Sequence, residues 1–594
     1  MVEVLSLTAH PPRIPNTTKR KFFPRFKDLL CYLFQKSSGE TDANHPIVVI
    51  IPHGDSKKPV SSSKLDGLCF EDKLLLLRYY FGHLNLLVCN ETITAKHVEE
   101  PIEEVAQLMT NRISRVETWT GTGKHPINDK YNSSHNHIEH HSTPHDNLNN
   151  NIKMNNKSHI HNNTDDNEFH PPKVSGIIPT MTYILNNNST KGEATIETLT
   201  FFKDLIIEEV DFLSLLSKSN PKHLAKLCFD VGNWQFPAHE LTNDDLVYCA
   251  YLMLNYALQQ VEPSIDNNLH IPDRNELLGL IFMVRDTYKN GNPFHNFRHA
   301  VDVVQACFHF LIRLDCLPEF SQLNIDHENN QNIDDIELSK TKRHLEILSS
   351  KANHLNPLQT LGLLTAALGH DVGHPGVTNA FMVKNSAPTS LIFNDRSVLE
   401  SYHSSVFINK ILAVNWNSLL SAKTDPNSGL TVRELIISSI LATDMGEHFE
   451  YINKLRNLKS HDELINYNNK VKLISSLLIK CADISNVSRP LRVSAQWAMV
   501  LAREFEEVAI LDAKLNEGKE IDINQDISYD SIPQDLQDIL DVNPNLHKGQ
   551  IFFINTFAEN LFNSVAELLP EMKYACDIIQ ENKAFWMVRD KQIG

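Results

Sequence analysis

Apolar residues recur at helical spacing over most of this chain. From Thr195 onward the pattern predicts amphipathic helices at Thr198 to Leu216, Asp244 to Gln259, Arg274 to Lys289, Ala300 to Arg313, Val432 to Thr443, Lys470 to Ile484, Leu491 to Leu511 and Gly549 to Leu568. With no convincing strand pattern among them, these predict an all-α domain over residues 194–594. Residues 1–120 read differently. Apolar runs suited to strands at Val2 to Thr8, Ile47 to Ile51 and Leu84 to Cys89 alternate with helical patterns at Glu71 to Phe81 and Lys96 to Thr118, which predicts a small α/β domain. Between the two, residues 121–193 are dominated by asparagine and histidine, with few side chains able to build a core, and read as a disordered linker. Polar, acidic insertions at Pro318 to Asn356 and Asn516 to Asp538 predict loops, the second placed to act as a lid.

Composition narrows the class. The 594 residues are 41% hydrophobic and 22% charged, ordinary values for a soluble globular protein; the chain, mainly α by its periodicity, is long enough for two or three domains. The formal charge of −18 disfavours nucleic acid and anionic membranes as partners, leaving small-molecule ligands open. The basic run from Lys19 to Lys27 reads as a solvated face. Nine scattered cysteines with no Cys-x-x-Cys pair fit a reducing compartment rather than a disulfide framework. The start lacks the pattern of a signal peptide, and no apolar run approaches the roughly 20 residues that span a bilayer. The expected location is cytoplasmic, and a nuclear one is compatible.

Candidate chemistry centres on Gly362 to Gly376, where an apolar helical run ends in His370-Asp371, adds His374, and is stopped by Pro375-Gly376. Taken alone, His370-Asp371 is equally well a polar pair ending a helix. Upstream, His295 and His299 share a face if a helix begins there, although two surface histidines at a helix start would look the same. Downstream, Asp483 is a lone carboxylate in an apolar run, costly unless paired or bound to metal. His299, His370, Asp371 and Asp483 together supply a nitrogen and oxygen set that suits zinc, with magnesium or manganese beside it. Two divalent ions side by side activate water and clamp a phosphoryl group, so a phosphodiester hydrolase follows.

The blocks Asn292 to Gln305, Gly362 to Gly376, Phe393 to His403, Leu441 to Met445 and Lys480 to Asn486, in this order, resemble the catalytic domain of the class I cyclic nucleotide phosphodiesterases. The likeness runs from about Trp234 to Trp586 and is nearest the fungal high-affinity cyclic AMP members. It implies an all-helical, HD-type catalytic domain that converts cyclic AMP to 5′-AMP. In that family's mechanism a hydroxide bridging two metal ions attacks phosphorus. His299, His370, Asp371 and Asp483 would hold the tighter zinc ion, and Asp371 would bridge to the second, magnesium or manganese. His374, Glu400 and Thr443 would support metal-bound waters. His295 would protonate the 3′ oxygen, oriented by Glu504. Gln550 and Phe553 would grip the purine with Leu501 on its other face, and Asn486 tilts the pocket towards adenine. Read without the resemblance, Gln550 and Phe553 are core and cap residues.

Phe294, Gly373 and Tyr402 depart from residues frequent in the family, as does the length of the 318–356 insertion; no proposed ligand is lost. Two other readings stand beside this one. A cyclic nucleotide receptor without catalysis would need a broken metal site, and an HD-type phosphohydrolase of other nucleotides would lack the Gln550 and Phe553 blocks.

Overall fold

Four short strands near the start of the chain alternate their side chains between two faces, and on three of them both faces are buried. Strands β1 (Val2–Ser6), β2 (Thr17–Phe22), β3 (Ile47–Ile51) and β4 (Leu86–Asn90) form one parallel sheet in the order β2-β1-β3-β4. On one face Val2, Val4, Val48, Ile50, Leu87 and Cys89 pack with Val98 and Ile102 of the helix Ala95–Met109. On the other, Leu5, Ile47, Val49, Ile51 and Val88 join the main core. Burial of both faces is what a parallel sheet requires, and it explains the unbroken Ile-Val-Val-Ile-Ile run of β3. The basic run of the sequence turns out to include an edge strand: Lys19, Arg20 and Lys21 of β2 are exposed, charge that discourages a further strand from adding. That strand and the helix Phe26–Lys36 were not expected from the sequence.

The computed structural model describes residues 2–14, 16–39, 45–52, 63–92, 95–109, 112–122, 176–187, 195–261, 268–320, 354–425, 429–460, 466–517 and 532–593. Most of the expected linker and of the two expected insertion loops (321–353 of 318–356, and 518–531 of 516–538) lies outside them, and the helix Leu536–Val542 begins within the described end of the second loop. Within the stretch read as disordered linker, however, Ile177–Asn187 is a helix with Ile177 and Ile184 buried. Its apolar spacing (Ile177, Ile178, Met181, Ile184) was hidden by the asparagine-rich sequence around it.

Beyond β4 every regular element among the described residues is helical, in keeping with the all-α expectation. Helix ends differ from the periodicity where side chains intervene. The expected Thr198 to Leu216 helix is two, Ile196–Glu209 and Phe212–Leu215. Asn275 breaks it, donating Nδ2 to Ile207 O at 2.9 Å and Val210 O at 2.7 Å while its Oδ1 accepts from Phe212 N at 2.9 Å. The expected Lys96 to Thr118 helix is likewise Ala95–Met109 and Arg112–Thr120. The expected Gly549 to Leu568 helix begins at Leu546 and passes through a wider π turn at Ile554–Ala558 before Glu559–Leu568.

The core does not divide at the expected boundary near residue 120. A single apolar cluster runs from Leu5 and Phe26 through Trp119 and Ile177 to Trp586. Phe34 of the N-terminal part packs edge-on against Phe212 and Phe282 of the helical part, with ring centroids 5.2 and 6.1 Å apart. No described helix is long and apolar enough to cross a membrane.

Candidate metal centre and acid pair

Three helix ends meet at the site. Asn296 caps the helix Phe297–Arg313 by accepting from the backbone N–H groups of Arg298 and His299, which places His299 in the first turn. The helix Pro357–Gly369 starts on an Asn356/Gln359 capping box with proline at its first position, is buried throughout, and delivers His370 and Asp371 at its C-terminal end. Asp483 is the last residue of the helix Tyr467–Asp483. Two of these ends are C-terminal, where the helix dipole is negative and favours a cation.

The four side chains converge. His299 Nε2 lies 3.1 Å from Asp483 Oδ1, and His370 Nε2 lies 3.3 Å from the same oxygen and 3.2 Å from Asp371 Oδ2. One ligand atom from each of the four falls within 4.8 Å of the others. His370 Nδ1 donates to Ala367 O at 2.8 Å, which fixes Nε2 as the inward nitrogen, and that buried nitrogen has no hydrogen-bond partner. Burial opposes ionisation of both aspartates, yet His370 holds Asp371, and His299 and His370 hold Asp483, well below the usual carboxylate range. Burial likewise opposes charge on His370, but the aspartates hold it well above the usual histidine range. The cluster therefore requires positive charge at its centre, and its two nitrogens and two carboxylates fit a divalent cation.

Beside it stands a second group, His295, His374 and Glu504, also close enough to share a point. Glu504, buried on the helix Leu491–Glu517, pairs with His295 Nδ1 and accepts from the backbone N–H groups of Phe294 at 2.8 Å and His295 at 3.1 Å. Burial works against a charged His295, but the Glu504 carboxylate raises its pKa to about 9, while Glu504 itself falls to about 2. His374 stacks on His295 with centroids 4.0 Å apart; its Nδ1 accepts from Gly376 N, and burial followed by the His295 charge keeps it neutral. One imidazole is thus held protonated and its neighbour unprotonated. The His295 side chain retains 24% exposure, so it is not sealed off from solvent.

Other expected site residues surround these groups. Glu400 accepts two bonds from Asn379 Nδ2, and burial, reinforced by Asp444, lifts its pKa to about 7. Thr443 is buried, its hydroxyl turned back to Ile440 O, and the loop it shares with Asp444 is pinned by Lys480 Nζ, which donates to Ala442 O and Asp444 O. Asn486 is buried in the turn Ser485–Ser488 that follows Asp483. Gln550 is buried with its Oε1 lacking any partner, and Phe553, half-buried one turn on, packs against Phe557. Their helix packs on Leu491–Glu517, which carries the half-buried Leu501.

Two residues at the cluster had no role assigned from the sequence. His403, fully buried, stands 3.3 Å from Asp371 Oδ1 with neither ring nitrogen hydrogen-bonded, and burial lowers its pKa to about 4. A neutral imidazole facing the outer oxygen of Asp371 is a further potential ligand. Tyr288 accepts from Asp371 N at 3.3 Å and donates to Leu368 O at 2.9 Å, clasping the helix end. His403 carried a signal, its place three residues after Glu400; Tyr288 carried none. The departures at Gly373 and Tyr402 explain each other. Gly373 has φ +75°, and a Cβ there would lie 3.0 Å from Tyr402 Oη, so the tyrosine fills the space beside the turn.

Comparison with known proteins agrees with this arrangement. Residues 294–579 match the family of 3′5′-cyclic nucleotide phosphodiesterases. The 3′,5′-cyclic-nucleotide phosphodiesterase 2 of Saccharomyces cerevisiae is 32% identical over 411 residues, 65% of this chain and 66% of that protein. The 3′,5′-cyclic-nucleotide phosphodiesterase regA of Dictyostelium discoideum is 27% identical over 365 residues, 60% of this chain and 38% of that protein. The chain thus spans no more than about two thirds of the length of these two relatives. The crystal structure of yeast caPDE2 is similar over 99% of this chain and all of that one, with 51% identity and a TM-score of 0.82. Fold, site and these similarities together place the chain in the 3′,5′-cyclic nucleotide phosphodiesterase family.

Proposed function

We propose that the chain hydrolyses 3′,5′-cyclic AMP to 5′-AMP and so lowers the cyclic AMP signal. The observation that carries this reading is the four-residue metal cluster standing beside an imidazole held protonated by a buried carboxylate. His299, His370, Asp371 and Asp483 suit zinc, and Asp371, whose second oxygen lies near His403, would serve a neighbouring magnesium or manganese as well. When bound, the two ions supply an activated water and charge to offset the phosphate oxygens.

The chain's own residues do the rest. His295, protonated up to about pH 9, gives its proton to the departing 3′ oxygen, and Glu504 orients the ring and stabilises its charge. His374, neutral and stacked on His295, helps hold that ring in place. Glu400 and Thr443 support waters around the ions. Gln550 offers to the purine edge a buried amide whose oxygen is unpaired, Phe553 and Leu501 cover its faces, and Asn486 favours adenine. Nine free thiols are consistent with a cytoplasmic or nuclear setting.

The test is hydrolysis of cyclic AMP and cyclic GMP by the purified chain, with chelator and then with zinc and magnesium restored. Turnover of cyclic AMP that is abolished by chelator and recovered by metal is expected, with cyclic GMP a poor substrate. Binding of either nucleotide without product from the metal-replete protein would overturn the reading.

A further inference from the structure

The helix Arg112–Thr120 belongs to the N-terminal part of the chain, yet it lies against the loops that carry the chemistry. Arg112, only 1% exposed, donates Nη2 to Asn292 Oδ1 at 2.6 Å and Nε to Glu507 Oε2 at 3.1 Å. Asn292 passes the contact on: its Nδ2 donates to His295 O and to His374 O, each at 2.8 Å. Glu507 sits one turn beyond Glu504 on the same helix, so the guanidinium grips both the loop holding His295 and the helix holding its carboxylate.

The fit leaves no slack. Gly376, just after His374, has φ +81°, and a Cβ there would stand 2.8 Å from both Arg112 Nη2 and Asn292 Oδ1. Further along, Lys514 Nζ meets Glu117 Oε2 at 2.9 Å, a second tie between the same two helices. The helix Ile177–Asn187 packs against Arg112–Thr120 and against Val398–Val406, which carries Glu400 and His403. A buried guanidinium is costly unless it is paired and hydrogen-bonded. Here its bonds run to the supports of the acid pair.

We propose that Arg112 is a positioning residue for the phosphodiester reaction. It acts through Asn292 and Glu507 to keep His295, His374 and Glu504 in register with the metal cluster, which makes the N-terminal part of the chain a piece of the active-site frame. The inference rests on the function proposed above.

The test uses the full chain loaded with zinc and magnesium, comparing R112Q, R112K and N292A with the unmodified protein on cyclic AMP. R112Q should lower kcat by about 10- to 100-fold, the scale of a small misplacement of catalytic groups, with KM within about twofold and bound metal unchanged. R112K, which keeps the charge beside Glu507, should recover part of the loss. The double variant R112Q/N292A should lose less than the product of the two single losses, because the Arg112–Asn292 contact is common to both. The inference is overturned if folded R112Q keeps the unmodified kcat, if the two losses multiply, or if kcat returns to normal at 10 °C as a simple stability defect would. R112K and N292A carry the same comparison should R112Q not fold. Absence of turnover in the unmodified protein would instead overturn the proposed function, and this inference with it.

Discussion

His295 and Glu504 show how two buried groups can each make the other's charge affordable. Burial opposes both charges, but His295 is raised to about 9 and Glu504 lowered to about 2 because each faces the other. The acid form of His295 therefore persists through neutral pH and is lost as pH rises through about 9. The sign carries over to stability: a histidine raised from 6.5 stabilises the fold fully below that value and ceases to do so above about 9. Glu504→Gln removes the charge while keeping the shape, and burial then disfavours the imidazolium. Its alkaline limb in a kcat–pH profile should move acidward to the ordinary histidine range or below; an unmoved limb would detach Glu504 from this role. His295→Ala should lower kcat by about 10²- to 10⁴-fold, the usual range for a general acid, with bound metal measured by elemental analysis unchanged. Asp483→Ala should differ in its effect on metal. Losing the oxygen that both His299 and His370 approach, it should lose metal and turnover together, by about a hundredfold or more in each.

At the scale of elements, the site depends on where helices start and stop. Asn296 satisfies the first N–H groups of Phe297–Arg313 and also donates Nδ2 to Asn292 O and Pro293 O, so it sets both the helix start and the loop before it. Asn296→Ala should cost about 1–2 kcal/mol in denaturant unfolding, as a lost cap does, and should release bound metal faster to a competing chelator because His299 sits in that first turn. A stability loss with unchanged metal release would show that the cap does not aim the ligand. Such features were partly legible in the sequence. Asp483 announced itself because a lone carboxylate in an apolar helical run is expensive, whereas His299, His370 and Asp371 stood out only through the order of their motifs and the family resemblance; the helices around them follow from apolar period. The rest depended on contacts remote in sequence. Nothing near Arg112 signals that it reaches Asn292 and Glu507, nothing near Asn275 that it ends another helix, and the charge of Lys19, Arg20 and Lys21 masked an edge strand. Ile177–Asn187 was missed because composition was averaged over a window much longer than the helix.

At the scale of the whole molecule, the N-terminal sheet and the helical part are joined by a common core. Phe34 is 1% exposed, with its ring centroid 4.8 Å from Phe81 on its own side and 5.2 Å from Phe212 on the other. Buried Arg285 donates to Phe34 O at 2.9 Å, and Tyr79 Oη donates to Lys410 O at 2.7 Å. Polar bonds of this kind lock the register of the packed surfaces, because separating them strands buried donors. Two parts that share a core should unfold as one even in a chain this long, where independent transitions are the common outcome. Calorimetry of the full chain should therefore show a single main transition, with loss of bound metal coinciding with it. Phe34→Ala, a large-to-small change in a site hemmed in by rings, should cost about 3–5 kcal/mol and shift that whole transition, including metal release, to lower temperature. A separate early transition confined to the N-terminal part, with metal retained and cyclic AMP turnover unaffected, would show that the sheet is only an attached cap. It would also weaken the case for Arg112, whose reach to Asn292 requires the N-terminal part to stay docked whenever the enzyme works.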